Sequence, residues 1–426
     1  MNHEIYASLQ VTKKEIRFVV LKYRSGLGAK LFFKEIIKGE WLGENDEVLN
    51  FKEVGKIVKK SIHTFENQFK GIKLEKVNLI LPTKTLKIEA INSDLFLNQF
   101  EIRLITENEV NALFAKVKQD ASAKMLKREI VNIKPISFVV NGNKQVSKPP
   151  INVKVQGFGI KAQVFSVAKE VIDSHKKVIF EAGKDLLKIE FENISIAKKI
   201  VKMGTPNPTA IVNWSESKRE ISYAFNDTVI NFGRSSFGID TIIDKFSNET
   251  GIKTQKATEY IYSILNLSND NNANEMLYRK YISATKTTIE YTRGELKNIL
   301  ISLFKIELEK IELEIKNEFK DKVKVFDVIF IGDILNVPGV STILSNSKFD
   351  KISIFNTRSV GQIEYWTSAH VGIATILHNK NKNSSFKRTS TQTLSTQSTN
   401  KSNDKKSIFG ALSNVISHNK SNVINR

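Results

Sequence analysis

A chain of 426 residues is long enough for two or more domains with cores of their own, and 41% hydrophobic with 26% charged residues is a globular composition. Cysteine is absent, which excludes disulfides and thiolate metal sites; the six histidines show no His-x3-His spacing and no His-Glu-x-x-His motif, so no metal site is expected. The net charge of +20 points to an anionic partner surface. No apolar run approaches the roughly 18 residues of a membrane helix, and Met1-Asn-His-Glu4 has no signal-peptide character.

Glu4–Ser8 and Glu15–Tyr23 are predicted strands around a short turn, followed by a strand at Lys30–Ile36. Phe51–Phe69 carries Val54, Ile57, Val58, Ile62, Phe65 and Phe69 at helical spacing, and Lys76–Pro82 is a strand. Hairpin, strand, helix and strand together predict a mixed α/β domain. From Lys84 to Ala168 the texture changes. Thr106-Glu-Asn-Glu109 is a capping-box start to a helix running toward Ala123. Ile130–Val140 and Asn152–Ser166 read as strands, which makes this stretch a small α+β unit. Helix and strand patterns resume at Lys169–Lys202.

Met203-Gly-Thr-Pro-Asn-Pro-Thr209 holds two of the seven prolines and reads as a hinge. Strands at Ala210–Trp214, Glu220–Ala224 and Thr228–Phe232 then repeat the opening pattern, so a duplicated α/β domain is expected. Gly251 to about Lys320 reads as helical, with Arg293–Glu318 the longest helix, although Ile306–Ile315 also alternates with period two. Val323–Gly332 reads as a buried strand.

Apolar periodicity stops at Asn379. A Ser/Thr/Asn/Lys tract follows to Lys406, and from Asn379 to Arg426 nine Lys/Arg face one Asp. Ile408, Phe409, Leu412, Val415 and Ile416 then fall at i, i+1, i+4, i+7 and i+8, one arc about 120° wide on a helix. Lys405 and Lys406 precede this arc, placed for anionic headgroups. The segment is too short and polar to span a bilayer but suited to lie in its interface. The same pattern also suits docking on a protein, or an unstructured end. Nucleic acid is not expected as a partner, because basic stretches interleaved with aromatics are missing.

Several stretches resemble the bacterial cell-division protein FtsA, a branch of the actin/Hsp70-like superfamily. Ile91-Asn-Ser-Asp94, Ile105-Thr-Glu-Asn-Glu-Val110, Ile136–Gly142 and Gly157–Phe165 are similar in order to the FtsA subdomain 1C. Glu192-Asn-Ile-Ser-Ile-Ala197 resembles a Glu-Pro-Leu-Ala-Ser-Ala stretch, with Asn193 in place of proline. Ser368-Ala-His-Val-Gly372 resembles Thr-Ala-Val-Gly near the end of the family's globular body. The resemblance covers essentially the whole chain. It implies an α/β, actin-like, duplicated ribonuclease-H-like two-lobed fold with an inserted subdomain 1C and a disordered C-terminal tail. The implied parts are subdomain 1A at 1–84 and 169–203, 1C at 85–168, 2A at 204–250 and 323–378, 2B at 251–322, a linker at 379–406 and an amphipathic membrane-targeting segment at 407–426.

The family binds ATP with Mg²⁺ between two phosphate hairpins, each needing an Asp for the metal and glycines for backbone donors. Here the hairpins are degenerate. Gln10 and Thr12 stand for Asp and Gly in the first, beside Lys13. Asn213 replaces Asp in the second, and Ser215, Glu216 and Ser217 take the glycine places; Glu216 adds negative charge. The adenosine side survives in part: Gly238, and Gly332, Pro338 and Gly339 of a Gly-rich Pro-Gly loop. These also suit plain turns. Lys13, Lys14, Lys218 and Arg219 could still neutralise phosphates. With both Mg-holding carboxylates substituted, no catalytic residues are assigned and a pseudo-ATPase is expected. The resemblance further implies a partner in the C-terminal tail of FtsZ, a tubulin homologue, bound through 251–322, homopolymers through subdomain 1C, and a place at the cytoplasmic face of the membrane. An actin-fold ATPase and a pilus-assembly-type actin-like protein are the alternatives.

Overall fold

The computed structural model describes residues 3–391, except 25–27, 96–101, 202–206, 226–227, 269–270, 284–285, 320–322, 324, 350, 356–363, 383 and 385. The chain divides into two compact units: Met1–Ile196 with Ser359–Gly361 and Ala369–Arg426, and Ala197–Arg358 with Gln362–Ser368.

The first unit opens with β1 (Glu4–Val11), β2 (Glu15–Arg24) and β3 (Gly28–Lys38), then α1 (Phe51–Gln68) and β4 (Lys76–Leu81). Helix α1 forms because Val54, Val58, Ile62 and Phe65 bury one stripe and the Asn50 side chain accepts the Glu53 N–H. An insert follows: β5 (Lys87–Leu95), β6 (Arg103–Leu104), α2 (Glu107–Lys124), β7 (Arg128–Val140), β8 (Lys144–Val146), β9 (Lys154–Val155) and β10 (Phe158–Ala168). The chain returns through α3 (Lys169–Glu181), β11 (Asp185–Phe191) and α4 (Glu192–Ile200). The main sheet runs β11-β4-β1-β2-β3, antiparallel across β1, β2 and β3 and parallel across β1, β4 and β11.

The insert has its own sheet, β5-β10-β7-β8, and its own core. The capping box at α2 is present: the Thr106 hydroxyl accepts the Asn108 N–H, and Glu109 accepts the Thr106 N–H. Val110, Leu113, Phe114 and Val117 then face Phe138 and Phe158. The strand expected at Asn152–Ser166 starts only at Phe158. Asn152 has a positive φ of 64° and the two-residue β9 precedes the break at Gly157.

The second unit contains β12 (Thr209–Trp214), β13 (Arg219–Phe225), β14 (Thr228–Ser235), α5 (Ile239–Thr250), α6 (Thr254–Glu259), β15 (Met276–Ile282), β16 (Thr287–Thr292), α7 (Arg293–Phe319), β17 (Asp327–Ile331), α8 (Val340–Ser345) and β18 (Ile352–Ile354). Its sheet, β14-β13-β12-β17-β18, repeats the first position by position: an antiparallel meander, then two parallel strands on the β12 side. The expected duplication is therefore real.

Several expectations change. The stretch predicted helical from Gly251 contains the β15–β16 ribbon, in which Tyr278 and Tyr291 stack across the pair. Only α7 carries sustained helical burial there, with Leu296, Leu300, Phe304, Leu308, Ile311 and Ile315 inside. Ile306 and Leu313 are exposed, which settles the period-two ambiguity. The strand predicted at Val323–Gly332 is shorter.

The end of the body also moves. Helix α9 (Thr367–Lys382) runs past Asn379, and from Ala369 it belongs to the first unit rather than with 323–378. Gly372 allows this: a Cβ there would overlap the Ser195 carbonyl of α4. Beyond α9, Asn381 accepts the Arg388 N–H and donates to the Tyr6 hydroxyl. Ser390 is fully buried. Its N–H donates to Ile5 O, its Oγ accepts the Ala7 N–H and its carbonyl accepts the Glu75 N–H. Parallel pairing of β1 with β4 begins only at Ser8–Asn78, and Ser390 fills the gap before it. The linker expected at 379–406 thus starts no earlier than 391. The rest of it, and the segment with Lys405 to Ile416, lie outside the described residues.

Ser390→Ala should orphan a buried backbone donor and cost about 1–2 kcal/mol, read as a lower urea midpoint, whereas truncation after Lys406 should leave that midpoint unchanged. His175 on α3 is fully buried, its Nδ1 facing the Val171 carbonyl. Burial pulls its pKa from 6.5 to about 4. The unfolded chain binds the proton more readily, so stability is complete above pH 6.5 and falls as pH drops toward 4. His175→Leu should flatten that slope by up to about 3 kcal/mol in denaturant titrations at stepped pH.

Candidate functional site

In the first unit, Gln10 is the penultimate residue of β1. It is buried, and its Oε1 accepts from Arg17 at 3.4 Å. Thr12 closes the β1–β2 turn. Its hydroxyl donates to Glu15 O at 3.0 Å and accepts the Glu15 N–H at 3.0 Å, and its own N–H donates to the same carbonyl at 2.8 Å. Lys13 and Lys14 are exposed at the tip, and their carbonyls accept N–H groups of Trp41 and Gly39. The turn, read from the sequence as a degenerate phosphate loop with Thr12 in the glycine place, is a hairpin closed by the Thr12 side chain.

In the second unit, the structure brings Asn213, Ser215, Ser217, Gly238 and Gly332 together at the end of β12 and β17. Gly332 has a φ of 113°. A Cβ on it would overlap the Trp214 carbonyl and lie 2.8 Å from Asn213 Oδ1. Gly238 must be glycine for a similar reason, because a Cβ would collide with the Glu216 carbonyl. Both close approaches fix the β12–β13 turn against its neighbours.

That turn uses its own donors. The Ser215 N–H and hydroxyl both donate to Lys218 O, at 2.9 and 3.0 Å. The Glu216 N–H donates to Asp333 Oδ2 at 3.2 Å. The helix behind it offers little more: at the start of α5, Ile239 N–H donates to Ser215 O and Asp240 N–H to Glu216 O. Ser217 is exposed. In a phosphate cradle such N–H groups face the ligand; here the fold occupies them.

The cations of this turn are engaged as well. Lys218 pairs with Glu220 at 3.2 Å. Arg219 is buried, 2.9 Å from Glu314 and 3.8 Å from Glu307, and Glu307 also meets Lys245 and Lys310. The expectation that Lys218 and Arg219 are available to neutralise phosphates is therefore not met: their ion pairs tie the hairpin into its own sheet and to α7.

Pro338 and Gly339 sit apart from the hairpin, on the loop into α8. Gly339 has a φ of 76°, and a Cβ there would overlap the Ser268 N and Asn266 Oδ1 atoms. The Leu267 N–H donates to Pro338 O at 2.9 Å. Beside this turn lies a cavity of about 420 Å³, whose lining includes Leu335, Val337, Phe355 and Tyr365. Sequence reading missed Asp333, Phe355 and Tyr365. The signal for Asp333 was available, since it follows Gly332 where the Gly-rich pattern has another glycine. Among the described residues, no group of three or more His, Asp or Glu is placed to hold a metal ion.

Arg219→Ala leaves Glu307 buried with only its two lysines. It should cost about 2–3 kcal/mol in urea denaturation, while any affinity for nucleotide at 25 °C, where the variant remains folded, should stay within about twofold.

No protein-family model matches the chain. Among solved structures, the PilM-PilN type IV pilus biogenesis complex aligns with a TM-score of 0.55 at 8% identity, over 87% of this chain and 97% of that chain. MreB5 of Spiroplasma citri bound to ADP aligns at 0.46 and 13% identity, over 89% and 98%. The ethanolamine utilization protein EutJ from Carboxydothermus hydrogenoformans aligns at 0.45 and 11%, over 88% and 90%. With the duplicated sheets, the first of these matches places the chain in the two-lobed, actin-like ATPase fold.

Proposed function

We propose that this protein is a non-catalytic adaptor with an actin-like body, which holds a partner filament at the cytoplasmic face of a membrane. The observation that carries this reading is the second hairpin: the Ser215 and Glu216 N–H groups and the cations Lys218 and Arg219 are engaged within its own unit. A body with the fold of an ATPase but without an open phosphate cradle is suited to binding rather than turnover. The FtsA-like order of motifs supports a tubulin-like filament of the FtsZ type as the partner, taken through residues 251–322, with homopolymers through the 85–168 insert.

The amphipathic arc of Ile408, Phe409, Leu412, Val415 and Ile416, preceded by Lys405 and Lys406, is the membrane contact in this reading. Because the body extends to 391, the tether is shorter than the sequence implied. A random coil of the length from 392 to 406 reaches about 20 Å, so the body would sit close to the headgroups.

The second reading is an actin-fold ATPase, favoured by the cavity beside Pro338 and Gly339. A pilus-assembly-type role is compatible with the fold alone.

Flotation with anionic liposomes tests the adaptor reading. The full chain should float, and truncation after Lys406, Phe409→Glu and Leu412→Glu should each reduce the floating fraction at least about tenfold, as expected for a charge placed on an interfacial face. Equal flotation of the full chain and the truncation rejects the tether. Sustained ATP hydrolysis by the purified protein would favour the second reading.

A further inference from the structure

At the base of the insert, where the chain enters β5 and leaves β10 for α3, lies a cavity of about 620 Å³. That volume falls in the range of small-molecule sites. Four cations, Lys87, Lys127, Arg128 and Lys169, share its lining with two carboxylates, Glu170 and Asp173. All belong to the first unit, and none belongs to the two hairpins described above.

The cations converge because three segments end at one place. In the sheet of the insert, Lys87 on β5 stands opposite Ser166, and Arg128 on β7 stands opposite Ala168. Lys127 has a φ of 61°, an uncommon conformation for a residue with a side chain. Its carbonyl accepts the Lys169 N–H at 3.0 Å, which ties the entry to β7 to the start of α3.

Arg128 is the fixed part of the wall. Its Nε donates to Ser166 Oγ at 2.9 Å, and its Nη2 donates to Ser166 O at 2.9 Å and to the Thr85 carbonyl. These bonds hold the guanidinium and leave Nη1 unused. Among the described residues, no ion pair engages Arg128 or the three lysines, and none engages Glu170 or Asp173. Glu89 acts on Arg128 through its charge without forming an ion pair. Glu170 lies in the first turn of α3, where an acidic side chain suits the helix dipole.

Four cations gathered without carboxylate partners repel one another, and an anion among them relieves that repulsion. A phosphate monoester carries about two negative charges and three acceptor oxygens. A fixed guanidinium offers such oxygens directed donors, and lysines offer point charges.

We propose that the cavity at the base of the insert is a phosphate-binding site, in which Arg128 orients the phosphate oxygens, Lys87, Lys127 and Lys169 neutralise their charge, and Asp173 limits the affinity. This goes beyond the adaptor reading and does not rest on it. The group can arrive free, as inorganic phosphate or diphosphate, or on a lipid, as a phosphomonoester headgroup.

Calorimetry on the full chain, with inorganic diphosphate as the probe, tests the site. The wild type should bind saturably, and Arg128→Gln should weaken binding at least about tenfold. Lys87→Gln and Lys169→Gln should each weaken it about threefold. Asp173→Asn removes a lining carboxylate and should tighten binding about threefold, a gain that a merely structural role does not produce. Lys87 and Lys169 are exposed and Asp173 is half-buried, so these variants decide the matter if Arg128→Gln does not fold. Absence of saturable binding by the wild type, or unchanged affinity in all three of them, overturns the proposal.

Flotation separates the two sources. Phosphatidylcholine vesicles containing phosphatidic acid present a monoester, and those containing phosphatidylglycerol present a diester. With a headgroup as ligand, Lys87→Gln and Lys169→Gln reduce flotation on the first vesicles only. With free phosphate as ligand, flotation is unchanged while the calorimetric shifts persist. Equal loss on both vesicles without a calorimetric shift marks non-specific attraction and overturns the site. Failure of the full chain to float rejects the tether and leaves the calorimetric result standing.

Discussion

Gly238 and Gly332 stand where a single methyl group would overlap backbone of the β12–β13 turn. Because neither carries a side chain, the start of α5 and the end of β17 close on that turn from two directions. The consequences are chemical as well as mechanical. Contact this close lets α5 donate to the turn's carbonyls and lets Asp333 accept from its backbone. These two glycines, which the resemblance assigns to the adenosine side, serve here for access of the protein to itself.

Electrostatics follow the same logic. Arg219 follows the turn but lies buried against Glu314 and Glu307. A buried cation can be held this way because removing either partner strands a charge in a low dielectric. The hairpin's positive charge is therefore a fastening between sheet and α7. Part of the chain's excess positive charge lies in the tail. From Asn379 onward, nine cations face one Asp.

Much of the fold could be read from periodicity. The two meanders, α1, α2 and α7 each bury a stripe or a face whose spacing is written in the apolar residues, and the repeat of the opening pattern after Pro208 announced the duplication. The misses have physical causes. The β15–β16 ribbon has one stacked tyrosine pair and mostly exposed or half-buried residues, so its alternation was lost beside the strong helical signal of α7. Ser390 is a single residue that completes a strand pair, and one residue has no period. In the site, Gly238, Gly332 and Gly339 stood out as glycines, but their contacts did not: whether an N–H faces a ligand or a carboxylate is a tertiary fact. Asp333 was the exception, since it breaks a glycine pattern in plain sequence.

Ser390 also changes how the tail must act. Four backbone and side-chain hydrogen bonds, to Ile5, Ala7, Glu75 and Lys76, hold it at the gap between β1 and β4, so in the proposed adaptor a pull on the tail would be transmitted into the first sheet. Asn381 repeats the arrangement one step earlier, joining Arg388 to Tyr6 on β1. Ser390 therefore lies beside β1 and β4, two inner strands of the first sheet. In that proposed reading, force or binding at the tail would reach the core sheet of the first unit through Ser390. Such a root would suit the proposed adaptor, in which the second hairpin is held by Asp333 and by α7 within its own unit.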